Sequence, residues 1–259
     1  MPPVATPPLP DVDRVVAALA EAVRRRHAAI PGSWRSEHAG VVAAVGGLPI
    51  ATMNTIRLRS PDVDPEQVAA VLDQVAATGL PHCLELRPGD RHLADLARAR
   101  GMVLDEVVPL MAAVTAPVAH PWPDGLTVHR LEPAQAPLHV AVAAAGLGVD
   151  PGLLDRYCTP AFLATPGLAA YVGEVDGQLV TTCTALRQEG AVGVFDVATP
   201  PPFRRRGYAA AVTARAAADG LAAGCSFAWL QSSPMASGVY QAIGFATLER
   251  WDCWFSRPG

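Results

Sequence analysis

From Val197 to Ala211 the chain reads Val-Ala-Thr-Pro-Pro-Pro-Phe-Arg-Arg-Arg-Gly-Tyr-Ala-Ala-Ala. The pattern is a strand, a proline-rich bend, and an Arg/Gly loop that opens into an Ala-rich helix. The first N–H groups of a helix have no intrahelical acceptors, so such a start attracts anions. Gly207 and Ala209 let the backbone approach a bulky anion closely. Arg204, Arg205 and Arg206 add charge that pH does not remove. A pyrophosphate fits this turn best. The strand is not followed by G-x-G-x-x-G, and no G-K-[ST] is present, so neither a dinucleotide turn nor a triphosphate P-loop is supported.

A second group of residues follows in fixed order. Tyr208 to Ala223 is rich in Ala, with Val212, Ala216 and Leu221 on an apolar stripe, and Gly224 is placed to end a helix. Cys225 to Gln231 reads as a short apolar strand. Ser232-Ser233-Pro234 is helix-start chemistry, Met235 to Ile243 a short helix, and Gly244 its stop. Phe245 to Phe255 is a final strand. Tyr240 thus places a phenol four residues before the glycine.

These two segments must be positioned by what precedes them. Leu126 to Pro133 reads as a strand entering a helix, with helical stretches within 134–145 and 150–164. Tyr171 to Val175 and Gln178 to Leu186 form a hairpin around Asp176-Gly177. Glu189-Gly190 marks another turn before Val192 to Thr199. The order is β-α-α-β-β-β-loop-α-β-α-β.

Arg204-x-x-Gly207-x-Ala209 resembles the [Q/R]-x-x-G-x-[G/A] signature of the GNAT acetyltransferase superfamily. The stretch from Leu230 to Phe245 resembles its second hallmark, a short helix carrying a Tyr and ending at Gly-Phe. The element order from Leu126 to Phe255 matches that fold. The resemblance implies acetyl-CoA as co-substrate and transfer of its acetyl group to an amine. Val197, Ala198 and Thr199 would align the pantetheine arm. Backbone N–H groups of Arg205, Arg206, Gly207, Tyr208, Ala209 and Ala210 would hold the pyrophosphate. One or more of Arg204 to Arg206 would reach the 3′-phosphate. Tyr240 falls where many relatives place the general acid for the leaving thiolate. Ser233 stands where many carry an Asn that contacts the cofactor, and its hydroxyl can still hydrogen-bond.

An amine acceptor must lose a proton, because only about one alkylamine in 2,500 is neutral at pH 7. Asp196, on the strand beside the cofactor, is the first candidate base. Its alternative is a solvated or hydrogen-bonded strand carboxylate. Glu174, Glu249 and Asp252 are weaker candidates. Acceptor specificity is expected in the loops from Gly146 to Pro166. Trp34, Asn54 and Trp122 are candidates for a cleft, with packing as the simpler role for each. The acceptor is a small molecule or a peptide amine. A cofactor-binding sensor or scaffold with lapsed chemistry is the alternative function.

Composition sets bounds on these readings. The 259 residues are 51% hydrophobic and 17% charged, enough for a substantial core. All 20 basic residues are Arg, and the net charge of −4 argues against a general nucleic-acid binder. Five cysteines without C-x-x-C spacing suit reduced thiols in a cytoplasm. No secretory leader pattern, membrane span or metal-ligand spacing is read, so no membrane partner and no metal are expected. The cluster Trp251, Trp254 and Phe255 is core or interface, and oligomeric state stays open.

The first half repeats the rhythm of the second. After the Pro-rich residues 1–10 comes a helical face of Val12, Val15, Val16, Leu19 and Val23. A hairpin of Gly40 to Val45 and Pro49 to Leu58, a helix over 65–78 and a strand over 82–86 follow. A helix over 91–100 stopped by Gly101 and a strand within 103–114 complete it. Ala97 occupies the place of Tyr240, and the acidic Ser60 to Glu66 replaces the Arg/Gly loop. An acidic connection repels a pyrophosphate. The expected fold is α/β of the α+β type, with tandem GNAT-like domains, each a mixed, mostly antiparallel sheet flanked by helices. The expected division is a degenerate domain over 1–115, a Pro-rich linker over 116–125 and the cofactor domain over 126–259.

Overall fold

The computed structural model describes residues 7–60, 62–119 and 121–257. Residues 1–6 of the Pro-rich start, Pro61 of the acidic connection and His120 of the linker lie outside them. The elements of the first half are α1 (Val12–Ala28), β1 (Trp34–His38), β2 (Val41–Val45), β3 (Asn54–Leu58), α2 (Pro65–Ala76), β4 (Cys83–Leu86), α3 (Ala94–Ala99) and β5 (Val103–Ala113). The second half adds β6 (Thr127–Leu131), α4 (Ala136–Leu147), α5 (Pro151–Asp155), α6 (Pro160–Leu163), β7 (Leu168–Val175), β8 (Gln178–Gln188), β9 (Ala191–Ala198), α7 (Tyr208–Ala222), β10 (Phe227–Gln231), α8 (Ser237–Ala242) and β11 (Ala246–Phe255).

Three details differ from the sequence expectation. Strand β1 was not expected, since its mostly exposed residues show no apolar alternation. The helical stretch over 150–164 is two short helices, each opened by a proline and its own cap. The Asp150 carboxylate accepts the Gly152 N–H at 2.8 Å, and the Thr159 hydroxyl accepts the Phe162 N–H at 3.0 Å. Pro160 lacks the N–H that a continuous helix needs. The second strand of the first hairpin is shorter than expected, because Ala51–Met53 is a 3-10 turn. Asn54 organises that turn, donating to the carbonyls of Leu48, Ile50 and Pro81 and accepting from Gly46 and Gly47.

The chain forms two compact units that are not consecutive stretches. One holds the described residues through Ala22 together with Met111–Leu248. The other holds Val23–Leu110 together with the described residues from Glu249 onward. Each is a mixed, mostly antiparallel sheet with helices.

In the larger unit the strands run β10-β9-β8-β7-β6, with β9/β10 parallel and the others antiparallel. Asp176 and Gly177 both have positive φ (50° and 76°), as the tight β7–β8 turn requires. The core gathers Tyr171, Cys183, Val194, Val212, Leu230, Tyr240 and Phe245 against the small residues of α7. Small residues matter because α7 lies close to β9. A Cβ on Gly220 would come within 2.6 Å of the Val192 side chain.

In the smaller unit the order is β1-β2-β3-β4-β11, with only β3/β4 parallel. Its core includes Val41, Ile56, Val68, Leu72, Leu84, Leu86 and Trp254. Strand β11 pairs Asp252 to Phe255 with Leu86 to Cys83. Charged groups add to that pairing. Arg87 donates to both oxygens of Glu249 at 3.0 and 2.9 Å, and Arg91 to both of Asp252 at 3.0 Å. Trp251 and Trp254 are buried, and the Arg98 guanidinium lies 4.9 Å from the Trp254 ring centroid.

Helix propensity favours Ala over Gly by about 1 kcal/mol. At Gly220 the contact with Val192 reverses that sign. Gly220→Ala is expected to destabilise the protein by about 1–3 kcal/mol. Gly238→Ala, which faces open space in α8, should stabilise it by up to about 1 kcal/mol. Chemical denaturation of both variants tests this pair.

Candidate active site

The site grows from the parallel pair β9/β10. Their register runs from Phe227↔Ala191 to Trp229↔Gly193 and stops there. Beyond it β9 continues to Ala198 and β10 to Gln231 without pairing to each other, which leaves a gap edged by the end of β9. Glycine at 193 is required: a Cβ would meet the Trp229 ring at 2.6 Å. The Trp229 ring also sits edge-on to Phe195, with centroids 5.2 Å apart.

The end of β9 is bulged. The β8/β9 register shifts between Thr182 and Thr184, and Asp196 takes a left-handed φ of 54°. That conformation costs a non-glycine residue about 1 kcal/mol or more. Two hydroxyls hold it: Tyr157 donates to Asp196 Oδ2 at 2.9 Å and Thr184 at 2.6 Å. The sequence pointed to Asp196 as a base but carried no sign of the bulge or of these partners.

Val197, Ala198 and Thr199 lead out of the bulge. The Thr181 hydroxyl donates to the Ala198 carbonyl at 3.1 Å and bonds the Thr199 hydroxyl at 2.9 Å. Arg204 braces the turn that follows. Its Nε donates to the Thr199 carbonyl at 3.0 Å, and its terminal nitrogen to the Gly146 carbonyl at 2.7 Å. Arg204 is thus committed to the backbone, while Arg205 and Arg206 are exposed.

Arg205 and Gly207 both have positive φ, 63° and 80°. Left-handed residues in such a turn point successive N–H groups into one concavity. The first helical bond of α7 runs from the Ala211 N–H to the Gly207 carbonyl at 3.0 Å. The N–H groups of Arg205, Arg206, Gly207, Tyr208, Ala209 and Ala210 have no acceptor among the described residues. At Gly207 a Cβ would sit 3.3 Å from Pro123 Cγ, so the glycine keeps the cradle open. A diphosphate fits this donor set, whose charge is completed by the α7 dipole.

Tyr240 lies on α8 and is buried, its ring edge-on to Phe245 at 6.3 Å. Burial raises its phenol well above the ordinary range, with the neighbouring Cys183 adding to the shift. Burial also raises the Cys183 thiol, and the Asp196 carboxylate adds to it. Cys183 therefore feels Asp196, and Tyr240 feels Cys183. Ser233 is exposed; the buried serine is Ser232, whose hydroxyl donates to the Ser233 carbonyl at 2.7 Å.

The weaker carboxylates are elsewhere. Glu174 is a half-buried neighbour of His129 at 3.8 Å. Glu249 and Asp252 are held by Arg87 and Arg91 in the smaller unit. Trp122 donates its indole N–H to the Leu126 carbonyl at 3.1 Å, and Trp34 packs against the core of the smaller unit. A buried relay escaped the sequence reading altogether. His139 Nδ1–H donates to the Thr182 hydroxyl, which donates to the Tyr171 carbonyl, both at 2.7 Å. Only the fold brings these positions together. Among the described residues no cluster of His, Cys, Asp or Glu is arranged to hold a metal.

Residues 147–245 match the profile of the Acetyltransferase (GNAT) family. This chain carries a GNAT domain. A GCN5-related N-acetyltransferase from Kribbella flavida is similar in fold, with TM-score 0.69, 20% identity, and 95% and 96% of the two chains covered. Another from Sphaerobacter thermophilus has TM-score 0.63 and 15% identity, over 85% of this chain and 78% of that one. A tandem GNAT protein from the clavulanic acid biosynthesis pathway has TM-score 0.58 and 13% identity, covering 95% and 94%. No curated protein matches significantly in sequence.

Among the described residues the smaller unit lacks such a cradle. The Asp64 carboxylate accepts the Glu66 N–H at 2.9 Å, so the α2 start holds its own anion. Register in β3/β4 extends to Arg57↔Glu85, nearly the end of β3, and Arg57 donates to both Glu85 oxygens at 2.8 and 2.7 Å. Ala97, on α3, is fully buried.

The raised Tyr240 and Cys183 groups have a consequence at alkaline pH. Below the reference values, near 10 for phenol and 8.5 for thiol, folded and unfolded states are both neutral and the contribution is whole. Above them the unfolded chain ionises first, so stability falls by about 1.4 kcal/mol per pH unit for each group. Urea denaturation from pH 8 to 11 should show this decline, and Tyr240→Phe should make it shallower above pH 10.

Proposed function

We propose that the GNAT domain is an acetyl-CoA-dependent N-acetyltransferase that acts on an amine by direct attack on the thioester. The observation that carries this reading is the run of six unpartnered backbone N–H groups, Arg205 to Ala210, at the start of α7. The β9/β10 gap lies beside it in the chain path, and a buried phenol belongs to the same core.

The thioester supplies an activated acyl group. The backbone of Arg205 to Ala210 binds the diphosphate, and exposed Arg205 and Arg206 are available to the 3′-phosphate. Val197, Ala198 and Thr199 line the pantetheine arm, and Ser233 offers a hydroxyl at the end of β10. Holding the thioester against the acceptor supplies much of the acceleration. The amine nitrogen bonds to the carbonyl carbon as the carbon–sulfur bond breaks. Tyr240 gives its proton to the departing sulfur, the attacking nitrogen releases its surplus proton to solvent, and the phenolate is reprotonated from solvent. Its raised pKa keeps that proton in place at neutral pH, so transfer follows only as charge builds on sulfur. Asp196 faces the acceptor from the bulge of β9.

The smaller unit is read as a degenerate, non-catalytic partner, because Asp64 caps the helix start that an anion would need. The free thiols of all five cysteines fit a reducing, cytoplasmic setting. Among the described residues no helix is long and apolar enough to cross a membrane.

Calorimetric titration with acetyl-CoA should show one site per chain at micromolar affinity. Gly207→Asp places a negative side chain in the cradle and should abolish binding. No binding to the folded wild type would remove both the enzyme and the sensor readings, and two sites would overturn the silent first half. Tyr240→Phe should lower kcat at least tenfold with acetyl-CoA affinity nearly unchanged. Binding without transfer to any of a broad set of amines would favour the sensor.

A further inference from the structure

The Pro-rich segment before β6 comes back to the cradle. Ala119 and Leu126 are buried in the core of the larger unit. Between them the chain is held in a turn. The Leu126 N–H donates to the Pro123 carbonyl at 3.2 Å, and Gly125 takes a φ of 69°. Pro123 meets the start of α7, its Cγ 3.3 Å from the point where a Cβ on Gly207 would stand. Gly207 is one of the six residues whose N–H groups lack acceptors.

The residue before Pro123 is Trp122. Consecutive Cα atoms are about 3.8 Å apart, so its backbone lies beside that contact. Its side chain is held as well, because the indole N–H donates across the turn to the Leu126 carbonyl at 3.1 Å. Yet Trp122 is 44% exposed, whereas Trp229, Trp251 and Trp254 are buried. Among the described residues no aromatic ring or guanidinium stacks on the Trp122 indole. The indole therefore does not serve the core. It is a flat apolar face, oriented before any ligand arrives and left open beside a diphosphate cradle. Such preorganisation lowers the cost of binding a second flat ring.

Acetyl-CoA carries one. Its adenine is joined to the diphosphate through a single ribose. With the diphosphate on the N–H groups of Arg205 to Ala210, the adenine lies one ribose from the cradle, and Trp122 lies one residue from the proline that touches it. We propose that Trp122 binds the donor by stacking its indole on the adenine of acetyl-CoA. This inference rests on the acetyl-CoA reading above. The stack is remote from the thioester and neither aligns the acyl carbon nor moves a proton. It contributes equally before and during the reaction, so it acts on donor affinity and leaves kcat alone.

Calorimetry with two donors separates stacking from support of the turn. Acetyl-pantetheine 4′-diphosphate has the acyl arm and diphosphate of acetyl-CoA without the adenosine. Trp122→Ala should weaken acetyl-CoA about five- to fiftyfold, the range of base–aromatic stacking, and leave the truncated donor unchanged. Trp122→Phe loses the bond to Leu126 but keeps an aromatic face, and should recover most of the lost affinity. At saturating acetyl-CoA both variants should keep the wild-type kcat. Indole emission of the wild type should fall as CoA is added, and Trp122→Phe should lose that fall. Equal weakening of both donors, a Phe variant as weak as the Ala variant, unchanged acetyl-CoA affinity in Trp122→Ala, or the same fall of emission in Trp122→Phe would overturn the stack. A folded wild type that binds neither donor would instead overturn the reading on which the stack rests.

Discussion

A backbone N–H group without an acceptor is costly unless water or a ligand meets it, and chains fold to avoid such groups. Six in succession persist at the start of α7 because the surrounding structure prevents the turn from closing on them. Arg204 pins the turn at the Thr199 and Gly146 carbonyls, and Arg205 and Gly207 hold left-handed conformations. The close packing of Gly146 on β9 and of Gly220 on Val192 fixes the two helices that flank the turn. The core of the larger unit thus holds a polar concavity open, and the local strain is supported by contacts made elsewhere.

Much of this was legible because it depends on local spacing. The Arg/Gly loop, the Tyr240-to-Gly244 interval and the Asp176-Gly177 turn are short-range patterns with direct physical meaning. The bulge at Asp196 was not legible. It arises from a register shift against β8 and is held by Tyr157 and Thr184, distant in sequence. Arg204 was grouped with its two neighbours, since nothing in three consecutive arginines says that one of them braces carbonyls. The His139–Thr182 relay joins positions 43 residues apart, and only the assembled sheet connects them. Strand β1 lacked alternation because most of its side chains are exposed, so hydrophobic period had nothing to report.

The two helix starts show how little sequence separates an open set of backbone donors from a satisfied one. At α2 a single carboxylate, Asp64, takes the position an anion would occupy, and Pro65 removes another donor. The neighbouring strands stay in register under the Arg57–Glu85 pair, where β9 and β10 diverge. The same order of elements therefore leaves backbone donors open in one unit and satisfied in the other. What differs is which local groups satisfy the backbone.

The composition of the smaller unit also bears on the order in which the protein is made. Strand β4 takes as its antiparallel neighbour β11, and Arg87 meets Glu249 across 162 residues of chain. Contacts so far apart close slowly, after the loop entropy between them has been overcome. On the ribosome, the first half emerges long before the residues that complete its sheet. Until Phe255 is translated, one edge of β4 is without its β11 partner, and such edges invite pairing with other chains. The larger unit has its five strands from β6 to β10 in hand earlier, so the chain's first-made half is its last to be finished.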